Sequence, residues 1–229
     1  MRLAARSTED EWMDDAAAGE AEFALALEQL GRINRLTFAF HPVLSWLDRL
    51  VAETGAHALS ILDVGCGGGQ MLTAIDAWAR QRGVTVTLVG LDHSPWAARY
   101  AAAQGVPARF ITADLFDLDP AERFDVVLCN LFTHHLRDPD LVRFLQWCEA
   151  RATRGWLISD LHRHWLPWSV VWLGFRLMRF SAMIIHDATV SIARSFVRAD
   201  WQRLLAAAGV TAELRWVFPF RWNLGVIRR

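Results

Sequence analysis

The chain has no lysine: all 24 of its basic residues are arginine. That absence excludes two chemistries. A P-loop needs the lysine of its Gly-Lys-Ser/Thr turn, and a pyridoxal enzyme needs a Schiff-base lysine. Cysteine is almost as scarce. Cys66, Cys129 and Cys148 are too few and too scattered for a disulfide framework or a zinc site, so no metal is expected. Cys66 lies in a glycine turn and Cys129 in an apolar run, and both read as packing residues. Neither sign of charge dominates. A formal net charge of −1 leaves no basic field to gather nucleic acid. Long apolar runs are missing too: Trp165 to Phe175 covers only about half of the roughly 20 residues a membrane span requires. The opening "MRLAARSTEDEWMDD" lacks the apolar centre of a signal peptide and turns acidic at once, which predicts a cytoplasmic location.

What remains is 229 residues that are 53% hydrophobic, enough for one domain with a large core. Residues 8–30 and 32–53 read as two helical stretches, with Pro42 as a start or a kink in the second. After Gly55 the pattern changes. The short apolar runs "SILDV", "VTVTLVGLD", "ARFITAD", "FDVVLCN" and "GWLISDL" alternate with helical segments. One of those, "SPWAARYAAAQG", is fully punctuated: Ser94 as N-cap, Pro95 at the first position, Gly105 just past the end. Strands alternating with helices predict βαβ units, hence an α/β fold with a doubly wound, mostly parallel sheet covered on both faces. Residues 162–187 interrupt the alternation with an apolar insert. A helix in "ADWQRLLAAAGV" and strands in "AELRWVF" and "NLGVI" then close the chain.

The first strand runs into Asp63-Val64-Gly65-Cys66-Gly67-Gly68-Gly69-Gln70. In such sheets ligands bind outside the carboxyl ends of the strands. A dinucleotide fingerprint G-x-G-x-x-G would need glycine or alanine where Gln70 stands. Glycines admit a close backbone approach, and the N–H groups opening the next helix suit a carboxylate. An acid beside the turn, Asp63, suits an ammonium. Carboxylate plus ammonium is an amino-acid tail, which dinucleotides lack.

On these residues the chain resembles the class I S-adenosylmethionine-dependent methyltransferases, in their bacterial small-molecule branch. "LDVGCGGG" looks like their first motif, "VGLDHSPWAARYA" the second, "ITADLFDLD" the third and "FDVVLCNLFTHHLRDPD" the fourth. The resemblance implies a Rossmann-like sheet with an antiparallel final strand. It implies S-adenosylmethionine as cofactor and S-adenosylhomocysteine as product. Its implied contacts are Asp63, Gly65, Gly67 and Gly69 at the amino-acid tail and Asp92, with neighbouring His93, at the ribose. Asp114 is implied at the adenine amino group with the Leu115 backbone beside it, and Asn130 in the motif that lines the transfer site. The same reading divides the chain into a helical cap (1–57), a cofactor-binding core (58–161), an apolar insert or lid (162–198) and the closing helix and strands (199–229), all in one domain. The tetrapeptide [DNS]-P-P-[YFW] of nucleic-acid amino-methylation is absent; Asn130-Leu131-Phe132-Thr133 stands in its place.

Methyl transfer from a sulfonium needs alignment and exclusion of water, and a phenol or enol acceptor also gains from a base. Histidine, with an unperturbed pKa of ~6.5, suits that task. His134 and His135 follow the fourth strand and His162 and His164 the fifth. His135 is the preferred base. His134 and His162 are alternatives, with Asp160 and Arg163 available to orient His162. His186 and Asp187 are sequence neighbours, which turns side chains apart, and they read as loop. The insert "WLPWSVVWLGFRLMRF" admits three readings: core, a lid over the acceptor, or a membrane-surface helix across 165–180 with Arg176 and Arg179 snorkelling. Trp12, Met13, Arg32, Asn34 and Arg35 in the N-terminal helices admit two readings: they close over the cofactor, or they are plain surface. The expected acceptor is a small apolar aromatic molecule (phenolic, quinol or polyketide-derived), methylated on oxygen or carbon, and nucleic acid is not expected as a partner. Two rivals stand beside this: a non-catalytic protein that binds the same cofactor, and an NAD(P)-dependent oxidoreductase, against which Gln70 and Asp63 argue.

Overall fold

The structure, a computed structural model, describes residues 3–12 and 19–229. Two helices, α1 (Glu20–Leu36) and α2 (His41–Thr54), precede the alternating region. That region comprises β1 (Ala58–Val64), α3 (Gln70–Arg82), β2 (Thr85–Asp92), α4 (Pro95–Ala103), β3 (Arg109–Thr112), β4 (Phe124–Asn130), α5 (Asp138–Arg151) and β5 (Ala152–Leu161). The insert forms α6 (Trp165–Leu177) and α7 (Ala182–Arg194), and α8 (Arg198–Ala208), β6 (Glu213–Val217) and β7 (Arg221–Ile227) close the chain.

The strands form one sheet in the order β3-β2-β1-β4-β5-β7-β6. Pairing is parallel from β3 through β5, and β7 runs antiparallel to both β5 and β6. This is the expected doubly wound sheet with a reversed final strand. Strand alternation divides two cores. Leu62, Val127, Trp156, Ile158 and Trp222 face α5 and α8, where Phe144 and Trp201 are fully buried. Ile61, Val126, Leu128 and Leu157 face α2 and α3, against Trp46, Leu47, Leu72 and Ile75. Because the period is two, Asp63, Asn130, Ser159, Asn223 and Arg221 belong to the α2 face, and Asp160 to the α5 face.

Three local expectations are corrected. Residues 3–11 are not helical, and α1 does not end at residue 30; it runs through Gly31 to Leu36. Gly31 is a packing site: a Cβ there would lie 2.6 Å from the Gln70 amide nitrogen, which donates to the Leu27 carbonyl at 2.9 Å. The break falls at Thr37–Phe40, where Phe38 takes φ 51°, and Pro42 sits in the first turn of α2 as a start. The insert is two helices, parted where Arg179 takes φ 58° and Ser181 caps α7 by accepting from the Ile184 N–H. His186 and Asp187 lie within α7, and their side chains meet at 2.9 Å. Core is the wrong reading of α6, in which Phe175 alone is buried, while Trp165, Val170, Leu173 and Leu177 are exposed. Among the described residues no helix is long and apolar enough to cross a membrane.

Candidate active site

The carboxyl ends of β1 and β2 converge on the glycine turn. Gly65 takes φ 69° and Gly69 φ 73°, conformations that cost a side chain dearly. At Gly65 close approach adds a second requirement, because a Cβ would lie 2.5 Å from the Phe132 ring. Asp92 ties this turn to its own. One carboxylate oxygen accepts from the Gly67 N–H at 2.8 Å and the other from the Ser94 N–H at 2.9 Å. Helix α3 starts at Gly69 with no side chain capping its first N–H groups. Asp63 points into the same region from β1 and is 2% exposed. Burial, with Asp92 nearby, pushes its carboxyl up to about 8. A positively charged group is what such an acid lacks. Burial also pushes the Cys66 thiol up, in keeping with a packing role.

The remaining residues expected at the cofactor stand at or just beyond the carboxyl ends of β2, β3 and β4. His93 is exposed, 3.9 Å from Asp92. Asp114 opens a 3-10 turn (Leu115–Asp117) by accepting from the Phe116 N–H at 2.8 Å, with Leu115 buried behind it. Asn130 ends β4, and its Oδ1 is buried without a hydrogen-bond partner.

Next along the chain, Thr133–His135 form a 3-10 turn. His134 is 4% exposed and its Nδ1 lies 2.8 Å from Asp160 Oδ1. Asp160 also accepts from the Thr133 hydroxyl and from the N–H groups of His134 and Leu161. Burial would raise this carboxyl, but the charge and hydrogen bond of His134 and the other donors outweigh it and hold Asp160 at about 2. The bond fixes the His134 proton on Nδ1 and turns Nε2 toward Glu11, 3.6 Å away. His135 Nε2 is 3.8 Å from the same oxygen. The three ligand-type atoms of Glu11, His134 and His135 lie within 4.8 Å of one another, a grouping able to hold a metal ion. No motif signals it, because Glu11 arrives from the far N-terminus. Both histidines line a cavity of 460 Å³ together with Arg6, Arg163 and Arg194.

The N-terminal segment is strapped over this turn. Arg6 donates to the Leu136 and Arg194 carbonyls and pairs with Asp138 at 2.6 Å, and the Ser7 N–H reaches the Ala193 carbonyl. Arg194 holds the His134 and His135 carbonyls from α7. Trp12 stacks on His186 instead of covering the glycine turn. Arg32 lies over the Phe180 ring, and Met13 falls outside the described residues.

His162 stands apart. Its Nδ1 accepts from the Trp216 indole at 3.1 Å, and it packs against Phe220 and Trp222. Burial, with His164 and Arg163 nearby, lowers its pKa. Asp160 does not orient it, being committed to His134. Nor does Arg163, which donates to the Leu3 and Ser195 carbonyls and pairs with Asp200 at 2.9 Å.

Residues 61–155 match the family described as "Methyltransferase domain". Among curated proteins, the chain is 35% identical over 102 residues to the ubiquinone biosynthesis O-methyltransferase of Pseudomonas entomophila (strain L48), covering 43% of this chain and 41% of that protein. The enzyme of the same name from Pseudomonas putida (strain W619) is 33% identical over the same length. The chain thus spans about two fifths of these relatives. Among solved structures, the plantazolicin methyltransferase BpumL in complex with S-adenosylhomocysteine superposes with a TM-score of 0.67 at 18% identity, covering 92% of this chain and 96% of that one. Magnesium protoporphyrin IX methyltransferase (ChlM) from Synechocystis PCC 6803 does so at 0.56 and 18%, covering 94% and 90%.

Proposed function

We propose that this chain, whose residues 61–155 match a methyltransferase domain, moves a methyl group from S-adenosylmethionine to the oxygen or carbon of a small aromatic acceptor. One observation carries the cofactor reading. A buried acid with its carboxyl pushed up to about 8 and an uncapped helix start flank one glycine turn, and these suit an ammonium and a carboxylate respectively. In this reading Asp63 holds the ammonium, and the turn at Gly65, Gly67 and Gly69 with the start of α3 holds the carboxylate. Asp92, with His93 beside it, holds the ribose hydroxyls. Asp114 and the Leu115 N–H meet the adenine, and Asn130 faces the transfer site. The bound cofactor supplies a methyl already activated on a sulfonium.

The protein's own task is then to align, to exclude water and to take a proton. We assign the proton to His135 or His134 at Nε2. The Asp160 bond occupies His134 Nδ1, which leaves Nε2, facing Glu11, as the nitrogen for proton transfer. His162 is the third candidate; while Nδ1 accepts from Trp216, its proton sits on Nε2. The relatives named as ubiquinone biosynthesis O-methyltransferases favour a phenolic oxygen as the methylated atom. The exposed apolar face of α6, with Arg176 in its last turn and Arg179 just beyond it, supports seating of 165–180 on a membrane surface or on an apolar acceptor.

Calorimetry with S-adenosylhomocysteine, NAD and NADP tests the cofactor. Micromolar binding of the homocysteine compound alone, lost in Asp92→Ala, is expected; a dinucleotide preference would overturn the reading. Once an acceptor is found, His135→Ala should cut turnover far more than cofactor affinity. Unchanged turnover in the alanine variants of His134, His135 and His162 would remove the base.

A further inference from the structure

Arg221 opens β7, paired with Leu161 of β5, and is 2% exposed. A buried guanidinium needs partners, because removing a full charge from water is expensive unless it is paired and hydrogen-bonded. Here neither Nε nor Nη1 meets an acceptor. Nη2 has one long bond, 3.4 Å, to the Thr37 hydroxyl in the α1–α2 turn. Among the described residues Arg221 makes no ion pair.

Asp160 is the acid whose field Arg221 feels, and it is committed elsewhere. One oxygen takes the Thr133 hydroxyl and the His134 N–H, and the other takes His134 Nδ1 and the Leu161 N–H. That fills the roughly four positions a carboxylate offers. Asp160 also belongs to the α5 face of the sheet and Arg221 to the α2 face. Burial lowers the pKa of Arg221 to about 10, so it still carries its charge at neutral pH.

The neighbours on that face share the condition. Ser159 is paired in register with Asn130 on one side and Asn223 on the other. Ser159 Oγ, Asn130 Oδ1 and Asn223 Oδ1 are all buried and all lack a hydrogen-bond partner. A row of polar groups therefore crosses the carboxyl end of the sheet, from Asp63 in β1 to Arg221 in β7. Its β1 end fits the amino-acid tail of the cofactor. Its β5–β7 end holds one unpaired cation next to hydroxyl and amide oxygens that require donors. Native proteins seldom leave several such groups unmet side by side without a ligand to meet them.

We infer that Arg221 anchors a carboxylate on the acceptor, with Ser159 and Asn223 receiving hydroxyl groups beside it, so that the acceptor is a hydroxylated aromatic acid. The inference rests on the methyltransferase reading for the word acceptor, but not for the anion site itself.

The probes are 3,4-dihydroxybenzoate and its primary amide, titrated calorimetrically with and without S-adenosylhomocysteine into wild type and Arg221→Met. The acid should bind wild type at least ten-fold more tightly than the amide, and Arg221→Met should abolish that preference while leaving S-adenosylhomocysteine affinity intact. Ligand-free Arg221→Met should melt at or above the wild-type temperature, because an unpaired buried charge has been removed. Equal binding of acid and amide, or no binding of the acid, overturns the site. A melting temperature lowered by several degrees would make Arg221 structural, and lost S-adenosylhomocysteine binding would give it to the cofactor's own carboxylate; either result refutes the inference. Failure of wild type to bind S-adenosylhomocysteine would sink the methyltransferase reading alone, since the acid–amide preference is measured separately.

Discussion

Replacing Asp63 with asparagine should stabilise the ligand-free protein, and increasingly so as pH rises. The acid is 2% exposed and its carboxyl is pushed from 3.8 up to about 8 by burial and by Asp92. In the unfolded chain it ionises near its ordinary value, so between pH 4 and pH 8 the folded state holds the extra proton. Stability then falls as pH rises through that window, by about 1.4 kcal/mol per pH unit. At pH 7 the accumulated cost is about 4 kcal/mol on the same conversion, an order-of-magnitude figure. The asparagine amide fits the same space and does not titrate. Denaturant unfolding of both proteins from pH 5 to pH 9, without ligand, isolates the effect because every other titrating group is common to the pair. The difference in unfolding free energy should widen up to about pH 8 and then level off. Parallel curves would refute the reasoning. The same variant should lose most of its affinity for S-adenosylhomocysteine, since an amide does not neutralise an ammonium.

Other perturbations have equally definite outcomes. Asp160→Ala strips the acceptor from Thr133, His134 and Leu161 together, and should lower unfolding free energy by about 3–5 kcal/mol in denaturant titrations. In wild type, the contribution of Asp160 should persist down to about pH 4 and vanish as pH falls toward 2, since its folded value lies below its unfolded one. Gly65→Ala sets a Cβ against Phe132 at a positive φ, and a loss of about 1–3 kcal/mol is expected together with weakened cofactor binding. Wild type should co-sediment with anionic lipid vesicles through α6, and Leu173→Ser/Leu177→Ser should release it. Wild type left in the supernatant would reject the membrane reading and leave the lid.

The sheet was readable because its strands are nearly continuous apolar runs and its helices carry their own punctuation. Ser94, Pro95 and Gly105 mark both ends of α4 by local chemistry alone. Gly31 misled for the opposite reason. Its lack of a side chain serves a contact with Gln70, well down the chain, and no local pattern records that. The glycine turn was legible for a similar reason to α4: Asp63, the glycines and Asp92 sit at strand ends that the sequence itself marks. The polar groups farther along the sheet were not. Asp160 stands two residues from His162 in sequence, a spacing that puts both on one face of a strand, yet β5 ends at Leu161 and the Asp160 carboxylate goes to His134. Glu11, Ser159, Asn223 and Arg221 come from separate segments and meet others only in the folded sheet. The helix that holds His186 and Asp187 is not legible locally, because its start depends on the break at Arg179 and the Ser181 cap.

The strap across the histidine turn sets an order in time. Arg6 and Ser7 are made early, while Arg194, whose carbonyl accepts from Arg6, comes 188 positions later. A ribosome has passed β5 and α6 before α7 exists to receive them. The sheet through β5 can pair before then, but the carbonyls of His134 and His135 wait for Arg194, and Glu11 waits for Ser191. Closure of so long a loop is slow compared with local pairing. The turn is thus held twice, by Asp160 from a strand made before α7 and by Arg194 from α7 itself, and only the second hold has to wait for the insert to be complete.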